Sequence, residues 1–190
     1  MPMRLCDYLL YYPFCDDGTT DAQVMDNTIT LPRYTDGDGV QIMAISVAAR
    51  VGGQTFQVTY TNQDGVAGRV TGVHTQNAVA AVGTVVTAAT ATAGAVGPFL
   101  QLQQGDTGVR SIESVQMISG VDVGLFTLVL VKPLFTTQLI EQAAPVEKQF
   151  VVQDVGLAAI QDNAYLNWLC CPNGSLSGVR ITGVLTTSWS

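Results

Sequence analysis

Phe56, Val58 and Tyr60 alternate with Thr55, Gln57, Thr59 and Thr61. Successive side chains of a strand point to opposite faces, so this stretch predicts a strand with one buried face and one wet face. The run Leu125-Phe126-Thr127-Leu128-Val129-Leu130-Val131 is apolar at both alternating sets of positions. It is too short to cross a bilayer and too rich in β-branched residues to favour a helix. It predicts a central strand buried on both sides, opened by Gly124 and closed by Pro133.

Val40 to Arg50 reads as a strand that turns at Gly52-Gly53 into a returning strand, Gln54 to Thr61. Asn62-Gln63-Asp64-Gly65 is a turn of residues that tolerate positive φ, and Ala67 to Val73 resumes an extended pattern. Ala78 to Val96 is nearly all Ala, Val, Thr and Gly, which predicts a flat strand or a loop ordered by another chain; a helix is conceivable only at Asn77 to Val82. Pro98 to Gln104 reads as a strand with Phe99 to Leu102 at its centre, Gly105–Gly108 as a turn, and Val109 to Ile118 pairs back with a bulge near Ile112. Leu134 to Glu141 stays extended, and Ala143 to Lys148 is a Pro-bearing link. Phe150 to Val155, Tyr165 to Cys171 and Val179 to Trp189 supply further extended segments, with one helical turn at Leu157 to Ile160. About nine to eleven short strands with regularly spaced turn signals predict an all-β fold, an antiparallel β-sandwich or barrel of jelly-roll-like form.

Residues 1–38 follow no clean period. Aromatics (Tyr8, Tyr11, Tyr12, Phe14) mix there with acids (Asp16, Asp17, Asp21, Asp26), punctuated by Pro13 and Pro32. The expected organisation is an irregular N-terminal arm, 1–38, and a β-rich domain, 39–190. Aromatics on such an arm dock either on the chain's own sheet or on a neighbour. Interfaces gain most of their energy from a few aromatic and arginine anchors, so Tyr11, Tyr12, Phe14 and Arg33 are the candidate protein-interface residues.

Composition sharpens this picture. Hydrophobic residues make up 47% of the 190 and charged residues only 12%, about half the usual charged share. So sparsely ionised a surface points to coverage by a partner or by copies of the same chain. The net charge is −7, without a basic stripe, which argues against direct nucleic-acid binding. No secretory signal is visible, because Asp7 interrupts the apolar stretch Leu5 to Phe14 and no small-residue cleavage site follows. No apolar run is long enough for a membrane span. A protein made in a cytoplasm is expected, with Cys6, Cys15, Cys170 and Cys171 as reduced thiols; a Cys6–Cys15 bridge is the alternative, and no C-x-x-C pair is present to hold zinc.

Catalytic patterns are weak. The single histidine, His74, lies in a Gly/Thr-rich turn or strand and is expected to face solvent. Gly174-Ser175-Leu176-Ser177-Gly178 carries Leu176 where a nucleophile elbow needs serine. Asp36-Gly37-Asp38-Gly39 begins like a calcium loop, but Gln41 stands where another acid is wanted and the distal glutamate is missing. The three glutamates, Glu113, Glu141 and Glu147, form no evident pair for glycoside hydrolysis, and neither Lys132 nor Lys148 follows a phosphate-binding glycine loop. A non-enzymatic chain without cofactor or metal is expected.

The block Gly97-Pro98-Phe99-Leu100-Gln101-Leu102-Gln103, then Gly105-Asp106-Thr107-Gly108-Val109-Arg110-Ser111-Ile112, then Gly124 through Pro133, resembles structural proteins of tailed bacteriophage particles. It looks most like the small β-rich proteins that decorate or cement heads. The resemblance implies a virion protein, made in the host cytoplasm, that binds the major capsid protein and self-associates, often as a homotrimer. The alternative is a tail- or fibre-associated carbohydrate- or receptor-binding module, for which Trp168 and Trp189 are the candidate aromatics.

Overall fold

A computed structural model describes residues 1–78, 81–86, 89–90, 94–95, 97–120, 123–140, 145–147, 159–171 and 181–186. Among these residues there is no helix. The strands are β1 (Pro2–Tyr11), β2 (Cys15–Asp16), β3 (Gln23–Val24), β4 (Gln41–Ser46), β5 (Thr55–Asn62), β6 (Arg69–Val70), β7 (His74–Thr75), β8 (Ala89–Thr90), β9 (Gly94–Ala95), β10 (Val109–Ser119), β11 (Leu125–Gln138) and β12 (Leu166–Cys170). They form two antiparallel sheets packed face to face, a β-sandwich rather than a closed barrel.

The first sheet is built on β11, which pairs with β1 and β2 along one edge and with β4 along the other. Phe126, Leu128 and Leu130 point into the sandwich, where they meet Phe56, Val58 and Tyr60 of β5 and Ile112, Val115 and Met117 of β10. Val129 and Val131 point the other way and pack with Cys6, Met43 and Leu169. The doubly apolar run is therefore buried on both faces, as its composition requires. Pro133 does not close the strand. Pairing with β4 stops at Val131, so beyond that point β11 pairs only with β1, and Pro133 sits opposite Cys6 where the register shifts between Leu5 and Cys6. A bulge is the place where a strand tolerates a residue without an N–H.

Three other expectations change. Residues 2–11 are not an arm: β1 lies between β11 and β12. Its alternation is unreadable because the register slips twice, at Leu5/Cys6 and at Tyr8/Leu10, and each slip moves the following side chains to the other face. The rest of 1–38 is irregular apart from the short β2 and β3. β4 and β5 are not a hairpin, because β4 joins β11 in one sheet and β5 joins β10 in the other. Their burial differs accordingly: β4 hides Ile42 and Ala44 on one face and Met43 on the other, whereas β5 alternates strictly. Pro98 to Gln104 is not a strand either, so β10 pairs with β5 and β3 instead, keeping the expected irregularity between Ile112 and Ser114.

The extended segment at Tyr165 to Cys171 is β12. Asn77, Ala78, Ala81 and Val82 are not helical, and residues 181–186 of the expected final strand are irregular and exposed. Phe150 to Val155 lies outside the described residues, as does all but the end of Leu157 to Ile160.

Candidate functional site

The four candidate interface residues divide into two pairs. Tyr12 is only 2% exposed. Its hydroxyl accepts the Ile112 N–H at 2.9 Å and its carbonyl accepts the Thr127 hydroxyl at 2.6 Å, which ties the two sheets together. Burial raises its phenol pKa above the ordinary value. Arg33 donates to both oxygens of the Asp7 carboxylate, at 2.7 and 2.6 Å, and to the Tyr8 carbonyl at 3.1 Å. Asp7 is wholly buried and also accepts the Tyr165 N–H at 2.9 Å. A buried carboxylate needs such partners, so Arg33 serves the fold. Neither Tyr12 nor Arg33 is available to a neighbour.

Tyr11 and Phe14 are different. Tyr11 ends β1 and Phe14 precedes β2, and they are 81% and 66% exposed. Tyr11 stands opposite Val129, on the outer face of the first sheet. There Tyr8, Leu10, Tyr11, Val129 and Tyr165 line an apolar groove of about 390 Å³. Tyr8 meets Tyr165 edge-on, with ring centroids 6.3 Å apart, a favoured aromatic geometry. Tyr8 and Tyr165 are far apart in sequence, and only the β1–β12 pairing brings them together, so no local pattern could announce the groove.

The remaining chemistry-bearing residues are tied into the fold. His74 is buried, not solvent-facing; its Nε2 accepts the Gln101 N–H at 3.0 Å and its ring lies 6.0 Å from that of Phe56. Asp17 and Arg50 form an ion pair at 2.9 Å inside the sandwich, and Gln76 donates to Asp17 at 2.9 Å. Burial pulls the Arg50 pKa down and the Asp17 charge pulls it back up. In the Asp36–Gly39 turn, Asp38 accepts the Thr107 hydroxyl at 2.6 Å and the Lys132 ammonium bonds the Asp38 carbonyl, which places a cation where calcium would need ligands. Among the described residues no group of three or more His, Cys, Asp or Glu side chains could hold a metal ion. All four cysteines are free. Cys15 packs within the sandwich and Cys6 on the opposite face of the first sheet; burial pushes their thiols up to about 12 and about 11. Trp168 is 38% exposed and meets Phe135 edge-on at 5.5 Å; Trp189 lies outside the described residues.

One polar cluster has a measurable pH signature. Asp106 accepts hydrogen bonds from Arg69 Nε and Nη2 at 2.9 and 3.0 Å, from the Tyr60 hydroxyl at 2.6 Å and from Asn62 at 2.8 Å. Burial opposes its charge, but the bonds from Arg69, Tyr60 and Asn62 outweigh it and lower the carboxyl to about 2, from 3.8. The folded pKa is depressed, so this stabilisation is complete above about pH 4 and is lost as the pH falls toward 2. Discounted for screening by nearby solvent, it amounts to about 1–2 kcal/mol. Urea unfolding at pH 5, 3.5 and 2.5 is expected to show that loss, and Asp106→Asn is expected to flatten it.

Comparison of the chain with protein-family models, with curated proteins and with solved structures gives no match, so its surface must be read from its own residues.

Proposed function

We propose that this chain is a non-enzymatic structural protein of a bacteriophage particle, made in the host cytoplasm, that binds and stabilises the capsid as a head decoration or cement protein does. The observation that carries the reading is the pair of large exposed aromatics, Tyr11 at the end of β1 and Phe14 just before β2, the first of them lining an apolar groove. Such side chains lose little conformational freedom on binding and bury a large area, which makes them effective anchors. The low charged fraction agrees with a surface that spends its life covered. The partner in this reading is the major capsid protein, and the protein joins it as a homotrimer, so that many modest contacts act together across a lattice. The buried position of the only histidine supports the non-enzymatic part of the reading.

Co-sedimentation with undecorated heads tests this. The double variant Tyr11→Ala/Phe14→Ala is expected to weaken binding by about 100-fold, while its thermal midpoint stays at the wild-type value. Unchanged co-sedimentation of that variant would overturn the reading. Deleting the first 35 residues is not a usable substitute, because it removes β1 from the first sheet.

A further inference from the structure

We infer that the cleft formed by Gln41 and residues 99–106 is a binding site for a neutral oligosaccharide. It does not depend on the capsid-binding reading and uses none of the residues of the aromatic groove.

The cleft is shallow and open, with a volume of about 530 Å³, and Gln41, Phe99, Gln101, Leu102, Gln103 and Gln104 line it. Four carboxamides dominate its chemistry. A carboxamide offers donors and an acceptor side by side, which is the complement of a sugar hydroxyl that both donates and accepts. The side chains of Gln101 and Gln104 are exposed and bond to nothing among the described residues. Gln103 uses its oxygen on the Val70 N–H at 3.3 Å, and Gln41 makes one long bond, 3.4 Å, to the Thr107 carbonyl. Phe99 and Leu102 are half-buried and supply an apolar wall for the C–H face of a sugar ring. Arg4 sits over the Phe99 ring at 5.4 Å, which fixes the ring but does not line the cleft.

Two further observations bear on the ligand. The first is charge. Among the described residues, the only ionised group in the lining is Asp106, whose carboxylate is 3% exposed and neutralised by Arg69. The cleft therefore presents dipoles and no net charge, which suits a neutral ligand better than an acidic or basic one. The second is the backbone. Here Leu100 N–H goes to Ile42, Gln101 N–H to His74, Gln103 N–H to the Tyr60 hydroxyl, and the Gln101 and Gln103 carbonyls accept from Gly72 and Asp106. These bonds to both sheets hold an irregular segment in one shape. The side-chain amides are thus carried on a frame held in one shape, and preorganisation of that kind reduces the ordering cost of binding.

The test is titration of the ¹⁵N-labelled full chain with chitotriose, maltotriose and lacto-N-tetraose, with trigalacturonate as the acidic comparison. Saturable shifts of the amides in 99–106 are expected with at least one neutral sugar. Gln101→Ala/Gln104→Ala is expected to weaken that binding by about tenfold or more, with the thermal midpoint unchanged because neither side chain holds the fold. Three results would overturn the inference: no saturable shift in this segment with any of the three neutral sugars at about 20 mM, tighter binding of trigalacturonate, or equal affinity in the double variant.

Discussion

Asp17→Ala is expected to destabilise the protein by about 3–5 kcal/mol, because it leaves the Arg50 guanidinium charged and unpaired inside the sandwich. Both side chains are essentially inaccessible, and the pair closes at 2.9 Å. Among the described residues Arg50 also donates to the Leu125 carbonyl at 2.8 Å and lies 5.2 Å from the centroid of the Phe126 ring. Neither supplies the missing negative charge, and Gln76 loses its acceptor as well. The pair need not be a net source of stability. Removing both charges together, as Asp17→Leu/Arg50→Met, is expected to recover most of the loss, since a buried ion pair roughly balances its own desolvation. Urea unfolding of the single and double variants measures both quantities, with an unchanged slope showing that the same surface is exposed in each. A single-variant cost below about 1 kcal/mol would show that the charge is not trapped in the interior.

The second large effect concerns backbone spacing. Gly108 lies where the Asp36–Gly39 turn is fastened to the start of β10. A Cβ placed there would lie 1.9 Å from the Gly37 carbonyl oxygen and 2.7 Å from the Gly39 nitrogen. These are main-chain atoms already committed to one another: Val109 N–H donates to Gly37 at 3.1 Å, Gly39 N–H to Thr107 at 3.2 Å and Gln63 N–H to Gly108 at 3.1 Å. No rotamer change can make room. Gly108→Ala must part the two segments and lose some of these bonds, so a cost of about 3 kcal/mol or more is expected. Gly183→Ala is the control, because its Cβ would meet nothing within 4 Å. Thermal unfolding of the two variants side by side checks the contrast.

How much of this was legible in the sequence depends on how local the cause is. The central strand was readable because burial on both faces leaves a signature within seven residues, Leu125 to Val131. β5 was readable because one wet face leaves strict alternation. β1 was not, since two register slips and the buried Asp7 broke its pattern, and the slips are visible only against β11. The sheet assignment of β4 and β5 was not legible either. Gly52-Gly53 looks like a hairpin turn, but nothing local tells whether the chain returns beside the same strand or crosses to the opposite sheet. For the surface, Tyr11 and Phe14 could be picked out as aromatics, yet Tyr12, their immediate neighbour, is buried by bonds to Ile112 and Thr127 that only the packed sheets create. The glutamine cleft was hidden behind a false strand signal, because Leu100 and Leu102 alternate with Gln101 and Gln103 although the segment joins no ladder.

The pairing of β1 with β11 has a consequence for how the molecule is made. Residues 2–11 emerge roughly 120–135 residues before the partners they need, Val129 to Gln138, and β12 follows later still. Until then an apolar segment waits without a template, and the loop to be closed is long, so its capture is an entropically slow step. Refolding is therefore expected to be paced by the docking of this one strand, and the unclosed intermediate is the species most exposed to aggregation.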